Sequence, residues 1–599
     1  MATDKDQDDT AYAMILDEGY ARPFATPLLT GEDWLFIGGR QGLSLEGDWV
    51  FTTDLHDSGL RQHWYKMEDM APEARALPYD WDPFNTDWTM PVPSCWQMQD
   101  ERLFYFEGAC WYGRHFDRTN LPVGDRQFLR IGAAAYECKV FLNGKYLGRH
   151  LGASTPFAVE ITAALRDGAN HLLLCIDNRR SATRVPMNHT DWFNYGGPYR
   201  EIEIFATPKA HIRDLFVHLV PDGTHRTIRV QAELEGDGTA RLEIPGLGID
   251  ATLTPGAGGW AEATFDAAPD LWSPASPTLY DVALTFGQDR VTDRVGFREI
   301  RRAGRDILLN GKPVFLRGIS VHEDDEHLGK CFDAADLRRR FAHAKELGCN
   351  YLRLAHYPHH EAAAKLADEM GLMLWEEVPV YWSIAFDNPG TLADAQNQLS
   401  ELIRRDRNRA SVIIWSMGNE NPDSDARFAF MSTLVDTARA LDPTRLVSAA
   451  CLVNHVRFRI EDRLAEVIDV IGINEYFGWY FPDYEELIAI GRNSNPDRPV
   501  VITETGADGV KEGGPKSGFF SEDYMTEVYR RQIDILGRLD YIRGMSPWIL
   551  YDFRAEKRMN RYQRGWNRKG LIAQDKATRK DAFAVLARHY QRLAEGDKA

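Results

Sequence analysis

From about residue 304 onward the apolar positions fall into short β-branched runs separated by stretches of helical periodicity. Eight such runs follow in order: Val314–Gly318, Asn350–His356, Leu372–Glu376, Val412–Trp415, Leu446–Ala450, Val467–Asn474, Val500–Glu504 and Arg543–Trp548. Helical patterns lie between most of them, as at Asp333–Leu347 and Phe428–Leu441. Strand–helix alternation of this kind predicts a (β/α)8 barrel over residues 304–599. Upstream the rhythm is different. Residues 45–207 carry short strands with turn punctuation (Leu45–Phe51, Gln127–Ile131, Lys139–Asn143, Arg200–Phe205), which predicts a β-sandwich. Asn143-Gly144 between apolar runs is a tight-hairpin signal. A second all-β stretch over residues 208–303, with strict alternation at Thr227–Leu234, fits an immunoglobulin-like sandwich. Residues 1–44 are left as an N-terminal extension whose first twenty or so residues are expected to fray.

Composition narrows the class. The chain has 599 residues, 44% apolar, with 16 Trp, 23 Tyr and 29 Phe, enough for several cores. A formal net charge of −19 argues against nucleic acid or an anionic membrane as partner, since both require a basic footprint. The 7 cysteines show no CxxC spacing and sit mostly in apolar segments, as expected of buried free thiols in a reducing compartment. The first residues are acidic and lack an apolar h-region, and no run approaches a membrane span. A cytoplasmic protein is the expectation.

Two of the barrel runs end in a carboxylate. Ser411–Glu420 closes on Asn419-Glu420, and Arg498–Glu504 closes on Thr503-Glu504. Two carboxyls at the tips of two buried strands are what glycosidic-bond cleavage needs, one to protonate the leaving oxygen and one to attack the anomeric carbon. Asn419 is placed to donate to a sugar 2-hydroxyl, and Tyr476 on the sixth run is a plausible donor to the nucleophile.

The longer motifs resemble glycoside hydrolase family 2, the family of β-galactosidases, β-glucuronidases and β-mannosidases. The marks include Pro93–Gln97, Ala109–Arg114, Leu271–Tyr280, Val295–Ile300, Leu308–Gly318 followed by His322-Glu323, and Arg353–Pro358. The resemblance implies a jelly-roll domain, an immunoglobulin-like sandwich and a catalytic TIM barrel. It also implies a retaining mechanism with Glu420 as acid/base and Glu504 as nucleophile, no cofactor or metal, a carbohydrate substrate and a homo-oligomer. His322, Arg353, His356, Asn474 and Trp548 are implied to line the substrate pocket.

The glycone is addressed by Asn567-Arg-Lys569, which resembles the motif by which β-glucuronidases of the family grip the substrate carboxylate. Asp191, in Asp191–Gly197, resembles a glucuronidase residue that binds a sugar hydroxyl. Tyr480, in Asn474–Tyr480, resembles one that helps to hold the carboxylate. Glu475 stands where an Arg is expected, and Thr505 replaces an aromatic. The long aglycone loop of some glucuronidases is not evident after the first barrel strand. A β-galactosidase or β-galacturonidase remains the alternative within the class, and a non-catalytic carbohydrate-binding protein the alternative outside it.

Overall fold

A computed structural model of the chain describes residues 24–69 and 88–596. The N-terminal residues expected to fray lie outside the described residues. Two compact units emerge. The first runs up to Arg180 and includes Tyr195–Arg213 and Glu235–Asp237; the second holds Ser181–Asn194, Asp214–Leu234 and the chain from Gly238 onward.

The first unit is a sandwich of a six-stranded and a four-stranded antiparallel sheet. Their inner faces bury Trp49, Phe51, Tyr112, Val140, Leu174, Ile202 and Ile204 in one core. Leu43–Ser44 pairs with Ile204 and Glu203, so the sandwich starts before the expected residue 45. The Asn143-Gly144 turn has φ of 52° and 77°, the left-handed pair that a two-residue I′ hairpin demands, and it joins Leu142 to Lys145. Six of the seven cysteines are buried.

The chain then forms two further sheets of three and four antiparallel strands. Thr227–Glu235 alternates buried and half-buried positions along its whole length, as the sequence pattern requires of a strand with one face on a core.

Eight parallel strands close the barrel: β1 (Leu316–Val321), β2 (Tyr351–Leu354), β3 (Met373–Glu377), β4 (Val412–Asn419), β5 (Leu446–Cys451), β6 (Val470–Asn474), β7 (Val500–Glu504) and β8 (Ile542–Met545). Two ends differ from the sequence pattern. Pro547, which has no N–H for the ladder, follows the end of β8, so Trp548 stands in the loop above it. At β1, Lys312-Pro313 is spent on a hairpin with Leu308 and Leu309, and the barrel strand begins only at Leu316. Between β5 and β6 the connection holds a short hairpin and a 3-10 turn in place of an α-helix.

The barrel floor is apolar. Leu316, Tyr351, Met373, Trp375, Ile414, Leu446, Val470 and Val501 cluster with Ile300, Ile307 and Leu309 of the preceding hairpin. Arg298 ties this end to the seven-stranded sandwich region, donating to the carbonyls of Ala410, Thr444 and Val412 at 3.1, 3.1 and 2.6 Å. Among the described residues no helix is long and apolar enough to cross a membrane.

Candidate active site

Side chains alternate along a strand, so residues two positions above the floor layer also face inward. On β2 that residue is Arg353, two above Tyr351; on β3 it is Glu377, two above Trp375. Arg353 is completely buried. Its guanidinium donates to Glu377 Oε1 at 2.6 Å and Oε2 at 3.2 Å, to Glu504 Oε1 at 2.8 Å, to Asn419 Oδ1 at 2.9 Å and to the Thr503 carbonyl at 3.1 Å. Burial opposes ionisation of Glu377, but the Arg353 charge and the bond to His356 Nδ1 at 2.9 Å outweigh it and hold that carboxyl at about 2. Trp375 Nε1 adds a third donor to it at 2.8 Å.

Glu504 closes β7 and is buried. Besides Arg353 it accepts from Tyr476 Oη at 2.6 Å, and His356 Nε2 lies 3.6 Å from it. Two hydrogen-bond donors, one of them the Arg353 cation, thus converge on this carboxylate, with the His356 ring beside them.

Glu420 has the opposite surroundings. The β4–β5 ladder shifts register between Ser416 and Asn419, and Glu420 follows in the left-handed region at φ 53°. A non-glycine residue held there stores strain that the structure around it must offset. Its side chain is half-buried at the mouth of the barrel. Its donors are neutral: Trp382 Nε1 at 2.8 Å and, more weakly, Asn419 Nδ2 at 3.4 Å. Burial, followed by the charge of Glu504, lifts its carboxyl to about 7. Asn474 Nδ2 reaches Asn419 Oδ1 at 3.1 Å, and Thr503 Oγ1 locks Asn474 Oδ1 at 2.6 Å.

The loop after β8 carries the basic motif. Lys569 is buried, yet its ammonium is not unpaired. It donates to Asp508 Oδ2 at 2.7 Å and Tyr480 Oη at 3.3 Å, and lies over the rings of Tyr476, Trp479 and Tyr480 at 5.7, 5.3 and 5.3 Å. Burial raises the Asp508 carboxyl's cost of ionisation, but Lys569 more than compensates and holds it below the usual range. Asn567 donates from Nδ2 to Asp191 Oδ2 at 3.1 Å and accepts from the Lys569 N–H. Asp191 also takes a bidentate grip from Arg558, at 2.8 and 2.5 Å.

Of the residues expected from the sequence, Arg353, His356, Asn419, Glu420, Asn474, Tyr476 and Glu504 form one hydrogen-bonded network. Asp191, Tyr480, Asn567 and Lys569 fall in the charged cluster beside it. Asp191 lies in Ser181–Asn194, a segment that belongs to the barrel unit and not to the sandwich that precedes it in sequence. His322 and Trp548 touch neither carboxylate by hydrogen bond. His322 bonds Tyr357 Oη at 3.0 Å and packs at 5.1 Å from Trp548, and burial keeps its imidazole neutral. Trp548 stacks on His356 at 4.9 Å, so both shape the floor. Glu475 is buried with both oxygens unpartnered, and burial pushes its carboxyl well up. Sequence reasoning missed Glu377, Trp382, Asp508 and Arg558. The signal for Glu377 was available, because the third apolar run also ends in carboxylates.

A barrel with paired carboxyls at its strand tips, preceded by two β-sandwich regions, defines a glycoside-cleaving class of protein. Three family models match in chain order: the sugar binding domain of glycosyl hydrolases family 2 over residues 43–208, the central family 2 domain over 210–298 and the family 2 TIM barrel domain over 300–594. The chain belongs to glycosyl hydrolase family 2. Among similar proteins, the β-glucuronidase of Paenibacillus borealis is 27% identical, covering 92% of this chain and 97% of that one. That of Sus scrofa is 28% identical, over 92% and 91%. The structure of Bifidobacterium dentium β-glucuronidase complexed with coumarin-3-O-glucuronide superposes with a TM-score of 0.82 at 25% identity, over 92% of this chain and 97% of that one.

The raised Glu420 carboxyl has a consequence for stability. Its pKa is higher folded than unfolded, so the proton stabilises the fold fully below about 4.5, and that contribution is lost as pH rises to about 7. Glu420→Gln, neutral at every pH, is therefore expected to match the parent near pH 4 and to exceed it at pH 8, by at most about 3 kcal/mol. Thermal unfolding of both proteins across that range checks the sign; a deficit for the variant at pH 8 contradicts it.

Proposed function

We propose that the chain is a retaining, exo-acting β-glucuronidase working through a covalent glycosyl-enzyme. The observation that carries this reading is the contrast between two carboxyls at the C-terminal ends of the fourth and seventh strands of one barrel. Glu504 rests on Arg353 and Tyr476, while Glu420 meets neutral donors and the negative charge of its partner. In the first step Glu504 attacks the anomeric carbon while Glu420 gives its proton to the leaving oxygen. In the second Glu420, now a carboxylate, takes a proton from water as that water attacks the same carbon and frees Glu504. Asn419, held by Arg353 and Asn474, is positioned to donate to the 2-hydroxyl.

The uronate reading rests on Lys569. An ammonium has three donors; Asp508 and Tyr480 take two, and the third is available to a substrate carboxylate, with Asn567 beside it. The resemblance to β-glucuronidases of bacteria and mammals supports the same glycone. The burial of six of the seven cysteines in apolar surroundings supports a reducing, cytoplasmic location. A β-galacturonidase, differing at C4 alone, and a β-galactosidase are the competing readings.

The glutamates are expected to fail differently. Glu504→Gln abolishes turnover of every substrate. Glu420→Gln retains glycosylation by aglycones that leave without protonation, and added azide restores breakdown of the intermediate. Equal losses on activated and unactivated substrates in Glu420→Gln contradict the assignment.

The glycone is tested with p-nitrophenyl β-glucuronide, β-galacturonide and β-galactoside, on the parent and on Lys569→Ala. Glucuronide is expected to lead, and Lys569→Ala to lose at least about tenfold in kcat/KM on uronides, matching a charge-assisted bond of about 1.5–3 kcal/mol. Because the substitution leaves Asp508 buried without its partner, Lys569→Ala combined with Asp508→Asn separates loss of fold from loss of the contact. The double variant should keep its melting temperature and still lose uronide selectivity. Galactoside as the best parental substrate, or equal losses on neutral and acidic glycosides, returns the chain to the neutral-sugar hydrolases.

A further inference from the structure

Trp382 lies on the loop after β3 and is the large apolar side chain nearest the proposed proton donor that still meets solvent, at 38% exposure. One face of its indole stacks on Tyr381, with centroids 4.6 Å apart and planes 28° from parallel. Tyr381 is itself buried against Trp192 and His356, each at 4.9 Å. An aromatic stack thus runs outward from the floor of the site and ends at Trp382. Trp382 is held by its ring N–H and by both of its backbone polar groups. Its Nε1 donates to Glu420 Oε2 at 2.8 Å, and its backbone N–H bonds the Asn419 carbonyl at 2.9 Å. Asn421 Nδ2 bonds the Trp382 carbonyl at 2.7 Å. Trp382 has φ 53°, the same left-handed value as Glu420 across the bond they share. Two strained non-glycine residues facing one another mark a place where position is enforced at a cost in stability.

We propose that Trp382 forms this chain's leaving-group subsite: its N–H positions Glu420, and its solvent-facing side takes a ring with a flat apolar face attached to the scissile oxygen. The inference rests on Glu420 as the proton donor. A leaving group begins at the oxygen that receives that proton, so it must emerge beside the group bonded to the donor's other oxygen. Lys569 contacts the ring of Tyr476, whose hydroxyl bonds Glu504, which puts the charged cluster on the nucleophile's side and Trp382 on the other. Both aromatic aglycones and pyranose rings present such a face.

The test uses benzyl and methyl β-glucuronides, whose alcohols are of similar basicity and differ by a ring, with a β-glucuronyl disaccharide as third substrate. In Trp382→Leu the benzyl-to-methyl ratio of kcat/KM is expected to fall about three- to tenfold. A fall confined to the disaccharide-to-methyl ratio identifies a sugar as the ring. Trp382→Phe keeps a ring and loses the N–H. It should retain the ratio while the alkaline limb of the kcat/KM profile moves up by about half to one pH unit, since a donor to the ionised form is gone. Glu504, Glu475 and Arg353 also act on Glu420 and are unchanged in these variants. Because each ratio is taken within one protein, a partly unfolded variant does not imitate the result. Unchanged ratios in Trp382→Leu, or an unmoved alkaline limb in Trp382→Phe, overturn the inference while leaving the glycosidase reading intact. A parent enzyme that cleaves neither uronides nor neutral glycosides removes both.

Discussion

A guanidinium with no exposure to water costs several kcal/mol unless its charge is matched and its donors are used. Arg353 meets both demands at once, and the arrangement of the site follows from how it does so. Its charge is matched first by Glu377, which is held ionised at about 2. That leaves Glu504, the second carboxylate on Arg353, as the excess negative charge, and Glu420 is the group that feels it. One buried cation thus holds Glu377 ionised and anchors Glu504, while burial and then the charge of Glu504 raise Glu420 against the pull of Arg353. The same guanidinium fixes Asn419 through its side-chain oxygen and so sets the approach of the strand to Glu420.

The charged cluster after β8 obeys the same accounting with different partners. Lys569 is matched by Asp508 and Arg558 by Asp191, so two ion pairs lie side by side with no net charge before substrate arrives. The reading of Lys569 as a cation waiting for an anion is thus incomplete. An incoming carboxylate shares the ammonium with Asp508, and selectivity depends on that balance as much as on the lysine. Around both clusters the aromatic residues Tyr476, Trp479, Trp548, Tyr381 and Trp192 exclude water, which strengthens every interaction among them.

Barrel topology was legible because β-branched runs and helical stretches differ in period, and the two tip glutamates were legible because each ends such a run. Strand ends near Pro547 and Pro313 were less so: the first turns on a missing ladder donor, the second on a hairpin that takes Lys312 and Pro313 out of the barrel strand. Glu377 was hidden by its neighbour: Glu376 and Glu377 are adjacent, and only the alternation of β3 shows which one faces Arg353. Asp508 and Arg558 were hidden for another reason. Charge pairing between residues 508 and 569, or 191 and 558, is set by tertiary approach and leaves no local pattern. Trp382 belongs to a loop whose left-handed turn is fixed by Asn419 and Asn421 and not by its own sequence.

The division of roles between Glu504 and Glu420 can be read directly by trapping. Incubation with 2-deoxy-2-fluoro-β-glucuronyl fluoride, whose fluorine slows breakdown of the intermediate more than its formation, should add one glycosyl mass per chain. Peptide mapping should place it on Glu504. No covalent adduct, or an adduct on Glu420 or Glu377, would contradict the account.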